Sequence, residues 1–320
     1  MMKKSLVALA VVAASGMAMA QSSVTLYGVA DAGIGRVKNT DPLNPGSGLN
    51  KTRVTTGGEL VNNGPSRVGF TGVEDLGNGN KVGFQFETGL SLADGQGGGG
   101  GGDSTQPFWA RQANVFVGGN WGTIKAGRQF TVSHIVEGVY DLTGLANYSV
   151  VSNTFGEAGI GHRANAAIAY VSPNMSGFQA AIAHVNRNNI NNGVNKDIWD
   201  IGAWYTNAGL AVGLSANKVQ GAKTQYQLGG KYDFGNFALA AGFQKTNVLR
   251  GFSLGGQAKF GAFTVTLDLA RVTRRADGGP KVTNGVLEGK YALSKRTFLY
   301  ADFVRLDKAN NWGLGIHHSF

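Results

Sequence analysis

Apolar residues in this chain recur at every second position, in segments of about ten residues, and that pattern restricts the fold more than any other feature. Phe263, Val265, Leu267 and Leu269 alternate with Thr264, Thr266 and Asp268. Tyr226, Leu228 and Tyr232 alternate with Gln225, Gln227, Lys231 and Asp233. Leu210, Val212 and Leu214 alternate with Gly213, Ser215 and Asn217, and Phe252 and Leu254 with Ser253, Gln257 and Lys259. Phe237, Leu239, Ala241 and Phe243 share a parity, with Gln244 on the other, and so do Trp312, Leu314, Ile316, His318 and Phe320 near the end. A period of two sends successive side chains to opposite faces of a sheet. Beyond residue 20 no stretch approaches the roughly 20 apolar residues of a transmembrane helix. Mean hydropathy is slightly negative, −0.09. A membrane protein with such values must cross with strands, whose lipid-facing and lumen-facing residues average out.

Turn signals split the segments. The tight ones are residues 75–80, 119–122, 173–177, 207–209, 234–236 and 293–296. Longer connections fall between them, at about Lys38–Pro65, Ala93–Pro107, Thr131–His162, Arg187–Lys196, Val219–Lys223 and Arg274–Lys281. Short turns alternating with longer loops match a transmembrane barrel. We count about sixteen segments; at about ten residues each they use about 160 residues and leave about 140 for connections. The predicted fold is therefore all-β: a transmembrane antiparallel up-and-down barrel of 16 strands. Aromatics near segment ends (Tyr27, Phe178, Trp199, Tyr205, Phe252, Phe260, Tyr291, Trp312 and Phe320) suit girdles at the two membrane interfaces. A soluble sandwich can alternate too. Here, however, the apolar face recurs in nearly every segment while the other face carries Gln, Lys, Asp and Asn.

The chain opens as an export signal. Met1-Met2-Lys3-Lys4 is basic, Leu6 to Ala14 is a short apolar core, and Ala18-Met19-Ala20 has cleavage-site form. We expect residues 1–20 to be removed and residues 21–320 to form the barrel. Cleavage leaves 27 basic against 19 acidic residues, a net +8. Export makes nucleic acid a poor partner, and the cations are scattered without a polybasic run. There is no cysteine, hence no disulfide, no thiol nucleophile and no cysteine metal site. Glycine is high, 51 of 320 residues, without the collagen repeat. The Gly97–Gly102 run lacks the Lys and Ser/Thr of a phosphate loop.

Several stretches resemble the general trimeric porins of β-proteobacteria. They are residues 22–28 (SSVTLYG), 66–77 (SRVGFTGVEDLG), Gly127-Arg128-Gln129, Arg163-Ala164-Asn165 with Tyr170-Val171-Ser172-Pro173, residues 293–297 (LSKRT) and His317-His318-Ser319-Phe320. The resemblance runs from residue 22 to residue 320. It implies a homotrimer in the outer membrane of a Gram-negative bacterium, in contact with outer-membrane lipid and lipopolysaccharide. It implies a passive diffusion channel for small hydrophilic solutes, with the third loop, about Thr131–His162, folded into the lumen as an eyelet. It also implies that Phe320 is the signal read by the outer-membrane assembly machinery; a lipid-facing girdle residue is the simpler reading of that side chain.

Arginines that line the eyelet in several members of that family map onto Arg67, Arg111 and Arg163, with Arg128 weaker. Arg163 is out of phase with Ala164, Ala166, Ile168 and Tyr170, and Arg67 with Val68 and Phe70, so both are expected in the lumen. The Arg111 segment mixes its polarity. Arg128 shares parity with Ile124 and Ala126, so it fits only if Gly127 marks a bulge; Lys125, of opposite parity, is the substitute. Glu87, Glu137 and Asp141 are the acids expected at the constriction. Positive side chains in a narrow opening attract small anions. The opposing reading is that Glu87, Asp31, Glu137, Asp141 or Glu157 neutralise them. The same features would also suit a substrate-specific anion channel, or a non-conducting barrel serving as adhesin or structural anchor.

No cofactor and no metal site is expected. Among His134, His162, His184, His317 and His318 no spacing is that of a local metal motif, and adjacent His317 and His318 face opposite ways. No nucleophile elbow is present, so no enzyme is expected.

Overall fold

The computed structural model describes residues 23–38, 50–99, 106–189 and 195–320. The expected leader, residues 1–20, and residues 100–102 of the glycine run lie outside the described residues.

Among the described residues seventeen strands form one closed antiparallel sheet. They are β1 (Ser23–Arg36), β2 (Thr52–Thr55), β3 (Arg67–Gly77), β4 (Asn80–Gly89), β5 (Gln112–Gly119), β6 (Gly122–Phe130), β7 (Arg163–Val171), β8 (Phe178–Val185) and β9 (Ile198–Asn207). Then follow β10 (Leu210–Val219), β11 (Gln225–Asp233), β12 (Phe237–Lys245), β13 (Leu249–Phe260), β14 (Phe263–Arg275), β15 (Thr283–Ala292), β16 (Thr297–Leu306) and β17 (Ala309–Ser319). Short β2 only extends the outer end of β1, from Arg36↔Thr52 to Gly33↔Thr55. The other sixteen strands make the barrel. It closes where β1 pairs with β17, from Val29↔Ser319 to Arg36↔Trp312. Closure removes the sheet edges that hydrocarbon could not solvate.

The expected alternation holds. In β12, Phe237, Leu239 and Phe243 are exposed and Ala238, Ala240 and Gln244 buried. Leu254, Leu267, Leu287 and Leu314 are likewise outward. In a soluble protein so many exposed large apolar side chains would be a liability; around a barrel they form the lipid face. Tyr27 departs from the girdle assignment: its hydroxyl accepts from Gln85 Nε2 at 2.9 Å, on the inner side. It has the parity of Asp31, which is buried in the wall.

The connection between β6 and β7, residues 131–162, carries α1 (Val132–Tyr140) and α2 (Val150–Gly159) and lies inside the barrel. Thr131 caps α1 by accepting from the His134 amide, and Ser149 caps α2 by accepting from the Ser152 amide. Ser133, Val136, Glu137 and Tyr140 recur at helical spacing and form the buried face of α1. Val132 and Val136 pack on Ala169, Ala181, Ala183 and Trp204, while Tyr148, Val151 and Phe155 pack on Ala270, Val286 and Val304.

The wall is shaped to receive this loop. Gly213, Gly229 and Gly242 sit opposite one another on β10, β11 and β12. A Cβ on Gly229 would stand 2.4 Å from the Tyr140 ring, one on Gly242 2.8 Å from the same ring, and one on Gly213 3.1 Å from Val136. Part of the glycine excess is thus a trough for α1. Hydrogen bonds complete the seat. Ser133 donates to Asp200 from its amide at 2.9 Å and its hydroxyl at 2.7 Å. The Tyr140 hydroxyl donates to Gln227 at 3.1 Å, and the Tyr148 hydroxyl to Glu288 at 2.6 Å.

Candidate functional site: the channel constriction

The loop narrows the lumen to a cavity of about 970 Å³. Arg67, Arg111 and Arg163 line it from the barrel wall. His134 and His162 of the third loop join them, with His317 of β17. No Asp or Glu of the described residues lines this space.

The three arginines reach one place because their strand ends are neighbours. Arg67 begins β3, Arg163 begins β7, and Arg111 immediately precedes β5. Glu87 of β4 sits behind them and is buried. Arg111 Nε donates to Glu87 Oε1 at 2.7 Å, while Arg67 Nε stands 3.8 Å from Oε2. Arg67 Nη1 donates to the Pro65 carbonyl at 3.0 Å. Arg163 Nε donates to the Arg111 carbonyl at 2.8 Å, and its guanidinium lies 4.6 Å from the centre of the Phe130 ring. One carboxylate therefore stands against three guanidinium groups. Arg163 has no carboxylate within ion-pair distance among the described residues.

Arg128 and Lys125 do not line the cavity. A bulge does occur beside Gly127: the β6–β7 register shifts between Gly127 and Gln129, with Ala166 in a left-handed conformation opposite. Arg128 at the bulge is consumed locally, donating to the Ala110 carbonyl and to Asn165 Oδ1. Lys125 lies further along β6, paired with Phe116 and Ala169, toward the tight turn at residues 120–121.

The loop acids do not stand opposite the arginines as the sequence reading expects. Glu137 is fully buried on the wall side of α1, accepting from Gln244 Nε2 at 2.8 Å and from the Ser152 hydroxyl. It shares the face of Val136 and Tyr140, so the helix cannot bury those two without burying it. Asp141 is used up in the turn after α1, accepting from the Thr143 hydroxyl at 2.7 Å, the Leu145 amide at 2.6 Å and the Ser149 hydroxyl at 2.8 Å.

Burial, and then the negative field of Glu157, push the Glu137 carboxyl well above the ordinary carboxylate value of 4.5. The seated loop therefore holds a proton that the detached loop would release. By linkage, a raised folded-state value stabilises most below 4.5, and that contribution is lost as pH rises toward the raised value. We expect alkaline pH to loosen the loop, seen as faster proteolysis within residues 131–162. Glu137→Gln, which can accept from Gln244, donate to the Ser152 hydroxyl and cannot ionise, should flatten that dependence.

Glu157 sits in an unusual backbone. Gly156, Glu157 and Ala158 all take left-handed φ and ψ, with φ of 60°, 48° and 53°. For the two non-glycine residues this costs roughly 1–3 kcal/mol each and persists only where the surroundings impose it. They do so through the Ala158 amide, which donates to Gln244 Oε1 at 3.0 Å, and the Ala158 carbonyl, which accepts from Asn217 at 3.2 Å. The turn points the Glu157 carboxylate at His162 Nε2, 2.8 Å away, and His134 Nδ1, 3.5 Å away. Burial works to raise this carboxyl, but the two imidazoles outweigh it and hold it below its ordinary value. Burial lowers the His134 imidazole below its ordinary value, against the pull of Glu157.

Phe320 closes the barrel seam. Its amide donates to the Gly28 carbonyl at 3.1 Å, and its ring lies over Gly28, where a Cβ would stand 2.3 Å from it.

A closed transmembrane barrel, narrowed by a loop seated inside and open beside a basic wall, is a diffusion channel. The chain belongs to the Gram-negative porin family, whose profile matches residues 6–311. It is an outer-membrane porin. It is 32% identical over 343 residues to outer membrane porin protein 32 of Delftia acidovorans, covering 98% of this chain and 92% of that relative. It is 30% identical to an outer membrane porin of Bordetella pertussis over the full length of both. In structure it is similar to the anion-selective porin from Comamonas acidovorans, with a TM-score of 0.76 and 25% identity, covering 94% of this chain and all of that one.

Proposed function

We propose that this porin passes small anions in preference to cations, and that Arg67 and Arg163 set the preference with Arg111. The observation that carries the reading is a constriction lined by three arginines and no carboxylate of the described residues. In a narrow opening with a low-dielectric wall, fixed positive charge raises the local anion concentration and the cost of cation entry. Arginine stays ionised at every physiological pH, and its fork of donors suits carboxylate or phosphate solutes. The similar Comamonas porin is described as anion-selective, which accords with this.

We also propose that the protein works as a homotrimer in contact with lipid and lipopolysaccharide, and that Phe320 serves the assembly machinery. The exposed ring of Phe320 at the end of the last strand supports the latter role. Its packing over Gly28 gives it a structural role as well.

The test is conductance of the refolded protein in a planar bilayer under a salt gradient. Open channels whose reversal potential has the sign of anion permeation are expected. A reversal potential at zero or of cationic sign would keep the porin and remove the arginine mechanism. A saturating, solute-specific block of the current would turn the reading toward a substrate-specific channel.

A further inference from the structure

We propose that His134, Glu157 and His162 form a site for a divalent transition metal, of the zinc type, where the two ends of the third loop meet. One ligand atom from each residue lies within 4.8 Å of the other two. Glu157 Oε1 is 2.8 Å from His162 Nε2 and 3.5 Å from His134 Nδ1. Bonds of about 2.0–2.1 Å to a tetrahedral ion place neighbouring ligand atoms about 3.3 Å apart, so two edges of the triangle are already near that size. The third closes by rotation of the His162 ring, whose side chain is half exposed. The imidazoles now stack, with centres 4.9 Å apart, so that rotation is required.

Three further observations point to a ligand. Buried His134 Nδ1 and Glu157 Oε1 lack a well-directed hydrogen bond; the short approach of His162 to that same oxygen is an ion-pair contact in this geometry. These atoms lie against one another and His162, so one shared cation would satisfy them together. The left-handed turn at residues 156–158 spends backbone strain on holding the carboxylate where the histidines converge. Both histidines line the cavity, so an ion can enter from the lumen and keep an open position toward it.

Two imidazoles and one carboxylate select zinc and its neighbours over calcium and magnesium, which take oxygen ligands. Arg163 faces the cluster and opposes any cation. The ionised Glu157 and the nitrogen–metal bonds must outweigh it, which argues against weakly bound ions. Bound metal would join His134 near the loop's start to Glu157 and His162 at its end, stapling the eyelet shut at its base. The inference does not depend on ion selectivity, because binding is read without conduction.

The experiment is equilibrium dialysis of the refolded full-length barrel against zinc, with cobalt as an absorbing probe. One zinc per chain is expected, with visible cobalt bands of tetrahedral form. His162→Ala alters an exposed side chain and should weaken zinc binding at least tenfold, since even partners of ligands cost that much. His134→Gln should do the same, and His317→Ala, a lumen histidine outside the cluster, should leave it unchanged. No saturable zinc binding by the parent barrel would overturn the site. Undiminished binding by folded His162→Ala and His134→Gln would overturn it equally.

Discussion

Replacing Arg67 and Arg163 together by serine should abolish anion preference in the salt-gradient experiment, leaving open channels with a reversal potential near zero. Glu87 offsets one of the three charges, contacting Arg111 at 2.7 Å and Arg67 only at 3.8 Å, so these two guanidinium groups carry most of the remainder. In water a unit charge roughly 5 Å from a permeating ion contributes about 0.8 kcal/mol, opposite in sign for anion and cation. Removing one charge then changes the permeability ratio on the order of tenfold, and two on the order of a hundredfold, before screening. At 0.1 M salt, with a Debye length of about 10 Å, part of this survives at such short range. Raising the salt should therefore shrink the parent's preference while leaving the double variant unchanged. Arg111→Ser is a worse probe, because it strands buried Glu87 without its partner. An anion preference kept by the double variant would move selectivity elsewhere in the lumen.

Gly229→Val should unseat the third loop while leaving the barrel closed. The first added carbon would stand 2.4 Å from the Tyr140 ring, whose other edge already lies against Gly242 on the neighbouring strand. Overpacking of this kind typically costs about 1–3 kcal/mol, and here the hydroxyl of Tyr140 would also lose Gln227. With α1 off the wall, the loop would move into the cavity. We expect single-channel currents that are smaller and flicker between levels, with unchanged β content by circular dichroism. Gly289→Val is the control: a Cβ there meets nothing within 4 Å. Equal, steady conductance in the Gly229 variant would mean that the trough does not position the loop.

The parity argument for the arginines succeeds where the backbone is regular. Arg67 and Arg163 stand at strand starts, out of phase with apolar neighbours, and both line the cavity. It stops at Arg128, where the register shift breaks the alternation on which it depends. Tyr27 shows the converse error. Its position near a strand end suggested the girdle, yet its parity is that of Asp31, and parity decides.

By itself the sequence determined what repeats locally: a period of two in ten-residue segments, the lipid-facing parity, the alternation of short turns with longer connections, and a third connection running from Thr131 to His162. Each is a property of neighbouring residues on one strand or in one turn, so it is written where it acts. Tertiary structure decided everything that depends on which surface faces which. Glu137 and Asp141 looked like lumen acids and are buried, Glu137 because α1 must turn its Val136–Tyr140 face onto the glycine trough and Asp141 because the turn after α1 takes up both its oxygens. His134 and His162 showed no metal spacing, yet the loop brings them to one carboxylate from opposite ends. The periodicity of a strand or helix says which residues share a face; only the packing of that face against the wall says where its charges go.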